Sequence, residues 1–242
     1  MKQISVEHAA WIMGQKAEQM DIWLEQAGIT APEGMLDGET LAELMQYLER
    51  RWLEQVRQAQ SRMEWLCERY TMLIDTCSLL HPQFPAFAEH VTPMLQQRGK
   101  ALIIPSGVWQ ELLSLYTRKP ALQETIHTVL GLLQHLHEQG VVRILNGDEE
   151  NFGDQQLLAT AMQLMTSCEL LVITQDLRLS ADLMRLNRLD SVRGKGLGVS
   201  RINRYGYLSR YIPQELRFAE GRPETAVLTP AIPFPSGRTA AR

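Results

Sequence analysis

The amino-acid sequence predicts an α/β fold with a largely parallel central sheet, preceded by an α-helical N-terminal module. Three observations carry that prediction. From Tyr70 onward, short apolar runs alternate with helical segments. Those runs, YTMLIDT, KALIIPS, VVRIL and ELLVITQD, are close to continuously hydrophobic, as strands covered on both faces are. Residues 1–69 show helical spacing instead and no such runs.

Residues 5–27 read as one amphipathic helix. Ala9, Ile12, Met13, Met20, Trp23, Leu24 and Ala27 fall near 3.6-residue spacing, and Gly28 is a stop signal. The turn-rich link ITAPEGMLDGET follows, with Asp37 as N-cap of a long helix over about 39–69. Its apolar positions include Leu41, Leu44, Met45, Leu48, Trp52, Val56, Met63 and Leu66. Trp11, Trp23, Trp52 and Trp65 are expected to build a packing surface across this module, residues 1–69. The module is also the natural place for a protein partner or a homo-oligomeric contact. Residues 70–212 form the α/β domain, with helices over about 106–116, 121–139, 154–166 and 179–188 and a last strand in LGVSRINRY. Residues 213–242 are rich in Pro, Gly and small side chains and have little to bury, so they read as a tail.

Composition bounds the function classes. The chain has 242 residues, 45% hydrophobic and 21% charged, the balance of an ordinary globular protein. No apolar run approaches the roughly 18 residues of a membrane span. The first residues lack a continuous apolar stretch with a small-residue cleavage site, so a cytoplasmic protein is expected. Cys67, Cys77 and Cys168 are odd in number and lack CxxC spacing, which favours reduced thiols over disulfides or zinc. The net charge of −4 hides an asymmetry. Residues 1–70 carry seven Lys/Arg against twelve Asp/Glu, whereas 176–222 carry ten against five. A protein of this kind can present a positive face to nucleic acid despite its acidic total.

Ligands of a parallel α/β sheet bind at the carboxyl ends of its strands, so the polar residues that terminate the apolar runs are informative. Asp75 ends YTMLI, and Asp176 follows LLVIT by one residue. Glu111 lies one or two turns into the helix after LIIP, and Asp154 opens the helix DQQLLATA. Four carboxylates thus fall near one edge of the sheet, each from a different βα unit. Gathered carboxylates repel and raise one another's pKa unless a cation neutralises them. Hard oxygen ligands suit Mg²⁺ or Mn²⁺, which share their coordination sphere with phosphate oxygens. The chemistry that follows is phosphodiester hydrolysis by metal-activated water, with Asp75, Glu111, Asp154 and Asp176 as catalytic and metal-holding residues. Each acid also has a plainer role, because an Asp at a strand end can simply cap a helix or turn. None of the six histidines lies in a recognisable nucleophile motif, and His135 and His137, two apart on a helix, face different ways.

These motifs resemble those of PIN domain nucleases. LIDTCSLL is similar to the opening strand of that family, with its Asp-Thr pair. IPSGVWQELL resembles the second motif, DQQLLATAMQL the third and VITQDLRL the fourth. The likeness covers about 70–212, with all four motifs in order, and implies a PIN-like three-layer fold. It implies a Mg²⁺- or Mn²⁺-dependent ribonuclease with RNA as substrate. A structure-specific DNA nuclease and a non-catalytic PIN-like interaction module are the alternatives. By the same resemblance, Ser78 and Thr174 fall where a hydroxyl orients water or the carboxylates. Cys77 stands where many members have Asn or Ser, and a thiol is a weaker hydrogen-bond partner. Toxin nucleases of the family are much shorter, so a processing, regulatory or defence role is the better expectation.

The segment RLNRLDSVRGKGLGVSRINRYGYLSRY interleaves cations with tyrosines. Arg185, Arg188, Arg193, Lys195, Arg201 and Arg204 are candidates for nucleic-acid binding, with the first four as the main phosphate contacts. Arg201 and Arg204, three apart on an expected strand, would face opposite ways. GKGLG matches no phosphate-loop spacing and reads as a turn.

Overall fold

The computed structural model describes residues 3–145, 154–187 and 196–211. They divide into two compact units, one ending at Gln58 and one beginning at Ala59, so the division falls inside a long helix. Among the described residues no helix is long and apolar enough to cross a membrane.

The first unit contains β1 (Ile4–Ser5), α1 (Val6–Ile12), α2 (Ala17–Ala27), β2 (Met35–Leu36) and the first part of α3 (Gly38–Arg69). The single helix expected over 5–27 is therefore two. Gly14 adopts a left-handed φ of 64°, and the Gln15 N–H donates back to the Ala10 carbonyl, closing α1 in a tight turn. The turn-rich link also contributes structure, because Ile4 pairs with Leu36 and Ser5 with Met35 in an antiparallel ribbon. Gly28 closes α2 at φ 69°, and the Asp37 carboxylate accepts the Thr40 N–H at the start of α3. Met20, Trp23, Leu24, Leu36, Leu44 and Leu48 form this unit's core. Trp11 is 76% exposed, so the four tryptophans do not make one packing surface.

In the second unit the last turns of α3 bring Met63, Leu66 and Cys67 into the core. There follow β3 (Thr71–Ile74), α4 (Thr76–Leu79), α5 (Phe84–Gln97), β4 (Leu102–Pro105) and α6 (Ser106–Arg118). Then come α7 (Gln123–Glu138), β5 (Val142–Leu145), α8 (Asp154–Met165), β6 (Leu170–Ile173), α9 (Leu177–Leu186), β7 (Leu197–Ile202) and β8 (Leu208–Arg210). Six strands pair in the order β5-β4-β3-β6-β7-β8, all parallel except β8. β4 and β6 are buried along their whole length, as the continuous apolar runs predict. The sequence reading assigns no element to 84–97, where α5 lies. Pro85 occupies its first turn, where a missing N–H is harmless, but Pro93 lies inside it and masks the helical pattern.

The last expected strand is also two strands. β7 ends at Ile202, a tight turn follows, and β8 returns antiparallel with Arg201 opposite Ser209. Arg204 lies in that turn rather than on a strand, so the opposite-face argument does not apply to it. Gly206 takes φ 76° there, and a Cβ on it would come within 2.8 Å of the backbone of Ala86 and Phe87 in α5. The Tyr207 ring stacks on His90 of α5 at 4.4 Å, and His90 Nε2 lies 3.3 Å from the Tyr205 carbonyl oxygen. The hairpin is thus seated on α5 by close backbone approach. Gly206→Ala should destabilise this unit by about 2 kcal/mol or more, combining left-handed strain with a backbone clash. The measurement is the urea midpoint, and a midpoint equal to the wild type's would refute this seating.

Candidate functional site

The chain lays down β3, β4 and β5 in one direction across the sheet, then returns to add β6, β7 and β8 on the other side of β3. The order reverses between β3 and β6. At such a switch point the connecting segments diverge and leave a crevice at the carboxyl ends of the strands. Asp75 follows β3 directly and Asp176 is the N-cap of α9 after β6. Glu111 lies on α6, after β4, and Asp154 opens α8, between β5 and β6 in the chain.

A hydrogen-bond network organises the two central acids. Ile74 and Ile173 are in register, and the Asp75 N–H donates to the Ile173 carbonyl. This brings the fully buried Thr174 hydroxyl to Asp75, where it donates to Oδ2 at 2.8 Å while accepting the Asp176 N–H at 3.1 Å. Thr174 therefore links Asp75 to the backbone of Asp176. The Thr76 N–H donates to Asp75 Oδ1 at 2.7 Å, and the Thr76 hydroxyl donates to Glu111 Oε2 at 2.6 Å. The Cys77 thiol donates to Asp75 Oδ2, and its sulfur accepts the Gln175 N–H. Burial, the charge of Asp75 and this bond push the Cys77 thiol up to about 11, so it stays protonated and able to donate. The thiol thus serves as a hydrogen-bond donor to Asp75 at the position where Asn or Ser was the expected family pattern.

Of the two hydroxyls the resemblance singles out, Thr174 bonds a carboxylate and Ser78 does not. Its hydroxyl is fully buried and makes no hydrogen bond to a carboxylate or to any other described group. Thr76 and Cys77 hold the acids instead. The sequence marks Cys77 only as a weaker hydrogen-bond partner at a support position, and Thr76 not at all as support, because the role of Thr76 depends on which residue the fold brings opposite it.

A second tie positions Asp154. Gln156 is buried, and its Nε2 donates to the Ser106 hydroxyl at 3.1 Å, joining the first turns of α8 and α6. Gly107 makes room for it, since a Cβ there would lie 1.5 Å from Gln156 Oε1. Partial burial and the charges of Asp176, Glu111 and Asp182 hold Asp154 above the usual carboxylate range. Asp182, on α9, is a fifth acid that no strand-end reading could find. It pairs with Arg185 at 2.7 Å, so that expected phosphate contact has an acidic partner on its own helix.

Asp75 is only 7% exposed, and burial raises its carboxyl above the ordinary range despite three donors on it. Among the described residues, none of the four acids pairs with Lys or Arg. No three acidic, His or Cys side chains among those residues converge tightly enough to form a finished ligand set. The donor chemistry nevertheless fits a hard divalent cation. Asp176 takes both helix-cap bonds on Oδ1, leaving Oδ2, and Glu111 uses Oε2 for Thr76, leaving Oε1. Carboxylates tied back through one oxygen and open at the other are oriented oxygen donors of the kind a hard cation could take.

Of the remaining cations, Arg201 is the penultimate residue of β7, and its Nε donates to Gln175 Oε1 at 3.3 Å. The Arg204 guanidinium lies 4.8 Å from the centre of the Tyr205 ring. Arg188, Arg193 and Lys195 lie outside the described residues.

Two outcomes follow. Gly107→Ala should cost about 1–3 kcal/mol by overpacking against Gln156. It should cost at least about 0.5 kcal/mol less in a Gln156→Ala background, and simple additivity in a denaturation cycle would refute the α6–α8 tie. The Asp75 shift also has a sign. A pKa raised by folding gives stability that is complete below the unfolded value, about 3.9, and is lost as pH climbs through the folded value. In EDTA, the stability of Asp75→Asn minus that of the wild type should therefore grow as pH rises from about 3 to 7. A difference that stays flat or shrinks over that range would show that burial does not penalise this charge.

Comparison with protein-family models and with curated proteins gave no match for this chain.

Proposed function

We propose that the second unit is a PIN-like, divalent-metal-dependent nuclease that hydrolyses phosphodiester bonds of RNA. The observation that carries this reading is the acid arrangement at the switch point. Asp75, Glu111, Asp154 and Asp176 come from four βα units, the Thr76 N–H and hydroxyl bridge Asp75 to Glu111, and Thr174 links Asp75 to the backbone of Asp176. A bound Mg²⁺ or Mn²⁺ would neutralise these acids, polarise a phosphate oxygen and lower the pKa of a coordinated water.

The chain's own groups supply orientation. Thr174 and Cys77 fix the Asp75 carboxylate, Thr76 fixes both Asp75 and Glu111, and the first turn of α9 fixes Asp176. Buried donors of this kind hold ligands within the narrow tolerance that catalysis needs. RNA, rather than DNA, enters through the resemblance of the four motifs to those of PIN domains.

Asp176→Asn is the cleanest test, because Asn caps a helix as well as Asp does. It should leave the melting temperature nearly unchanged and lower cleavage of single-stranded RNA at least about 100-fold. Wild-type cleavage should require Mg²⁺ or Mn²⁺ and stop in EDTA. Activity that persists in EDTA and in both Asp75→Asn and Asp176→Asn would overturn the mechanism. Cleavage of flapped DNA with RNA left intact would overturn the substrate.

A further inference from the structure

Among the described residues, one cationic group on the sheet edge of the acids has no carboxylate paired with it. Arg201 is half-buried at the carboxyl end of β7, one residue beyond the Ser200–Ile173 register, on the same sheet edge as Asp75 and Asp176. Its Nε is anchored to Gln175 Oε1, while Gln175 Nε2 lies 3.4 Å from the Ile202 carbonyl oxygen. Gln175 is thus fixed at both ends of its amide. Among the described residues, the two terminal nitrogens of Arg201 make no hydrogen bond, and the guanidinium forms no ion pair. A half-buried guanidinium left without an anion is costly unless a ligand supplies one.

The second member is His81, in the segment after α4. The Gln83 N–H donates to its Nδ1 at 3.2 Å, so in the neutral ring the proton is on Nε2. Burial and the nearby charge of Arg201 hold its pKa below the ordinary histidine range, which keeps that tautomer at neutral pH. The charge of Arg201 reaches the imidazole, and both side chains present N–H donors. Planar guanidinium forks match phosphate oxygens in a bidentate geometry that lysine cannot reproduce.

We propose that Arg201 and His81, positioned by Gln175, form a clamp for a backbone phosphodiester of a single nucleic-acid strand lying beside the acidic site. This rests on the nuclease reading for its ligand but concerns binding rather than hydrolysis. The Thr174–Gln175–Asp176 segment joins the two functions. Thr174 holds Asp75, Gln175 holds Arg201, and Asp176 is itself one of the acids.

The test measures binding of a fluorescent single-stranded RNA, and of DNA of the same sequence, to the full chain carrying Asp176→Asn, across a salt series. Adding Arg201→Ala should weaken binding roughly tenfold or more at low salt. It should also make the log–log salt slope shallower by about 0.7. Arg201→Lys should restore the slope but only part of the affinity, since it keeps the charge and loses the fork. Gln175→Leu should lower affinity at an unchanged slope, because the cation remains and only its anchor is gone. His81→Ala should weaken binding, and His81→Gln, which retains a donor, should recover part of it. Arg118→Ala, at the far end of α6, is the charge-matched control and should bind as the parent does. Affinity and slope unchanged in folded Arg201→Ala and Arg201→Lys would overturn the clamp, even if the wild type cleaves RNA. Loss of binding in Arg201→Ala, with no cleavage by the wild type under any metal, would support the clamp and overturn the nuclease reading. No binding by the Asp176→Asn parent would overturn both.

Discussion

The parallel pairing of β3 with β6 is the constraint on which the site depends. It sets Ile74 opposite Ile173, and from that register follow the Asp75 N–H bond to Ile173 and the Thr174 hydroxyl on Asp75. A slip of one residue would turn every side chain of β6 to the opposite face. β6 is buried along its whole length among residues from both faces, so such a slip would disrupt core packing as well as the site. The same apolar burial that stabilises the sheet therefore fixes the acids to a fraction of a residue. Hydrophobic packing specifies the register, and the register specifies the chemistry.

Charge is distributed unevenly through this frame. On the surface, Arg69 donates fork-to-fork to Glu169 through two bonds of 2.8 Å, and an exposed pair of that kind adds little stability. At the switch point the situation is reversed. Asp75 is buried, Asp154 feels Asp176, Glu111 and Asp182, and no described Lys or Arg answers the four acids. Three hydrogen-bond donors on Asp75 offset its burial only in part, as the upward direction of its pKa records. A fold selected for stability alone would place a neutral residue there. The unneutralised charge is the kind of local conflict that marks functional sites.

Much of the frame was legible in the sequence because the relevant signals are local. Apolar runs of four residues ended by Asp75 or by Thr174 mark strand ends directly, and Gly28 and Asp37 act as stop and start signals at their own positions. What escaped the sequence depends on other information. Pro93 concealed α5, and a single left-handed glycine divided what periodicity made one helix. Arg204 looked like a strand residue because the short turn over 203–207 is invisible to alternation. Thr76, Gln156 and Asp182 could not be picked out, since each acts through a residue distant in sequence or on a neighbouring helix face. Sequence indicates which side chains end strands; only tertiary structure indicates which side chains hold them.

The plainest alternative for the acids was that they merely cap helices, and the atoms decide how that alternative bears on function. Asp75 and Asp176 do cap α4 and α9. In Asp176 both cap bonds fall on Oδ1, from the Arg178 and Leu179 N–H groups, and Oδ2 has no partner among the described residues. Capping therefore holds the rotamer through Oδ1 and leaves Oδ2 without a partner among the described residues. Those are the properties an oriented oxygen ligand needs. At Asp176 the cap occupies one carboxylate oxygen, and the ligand role proposed above would fall to the other.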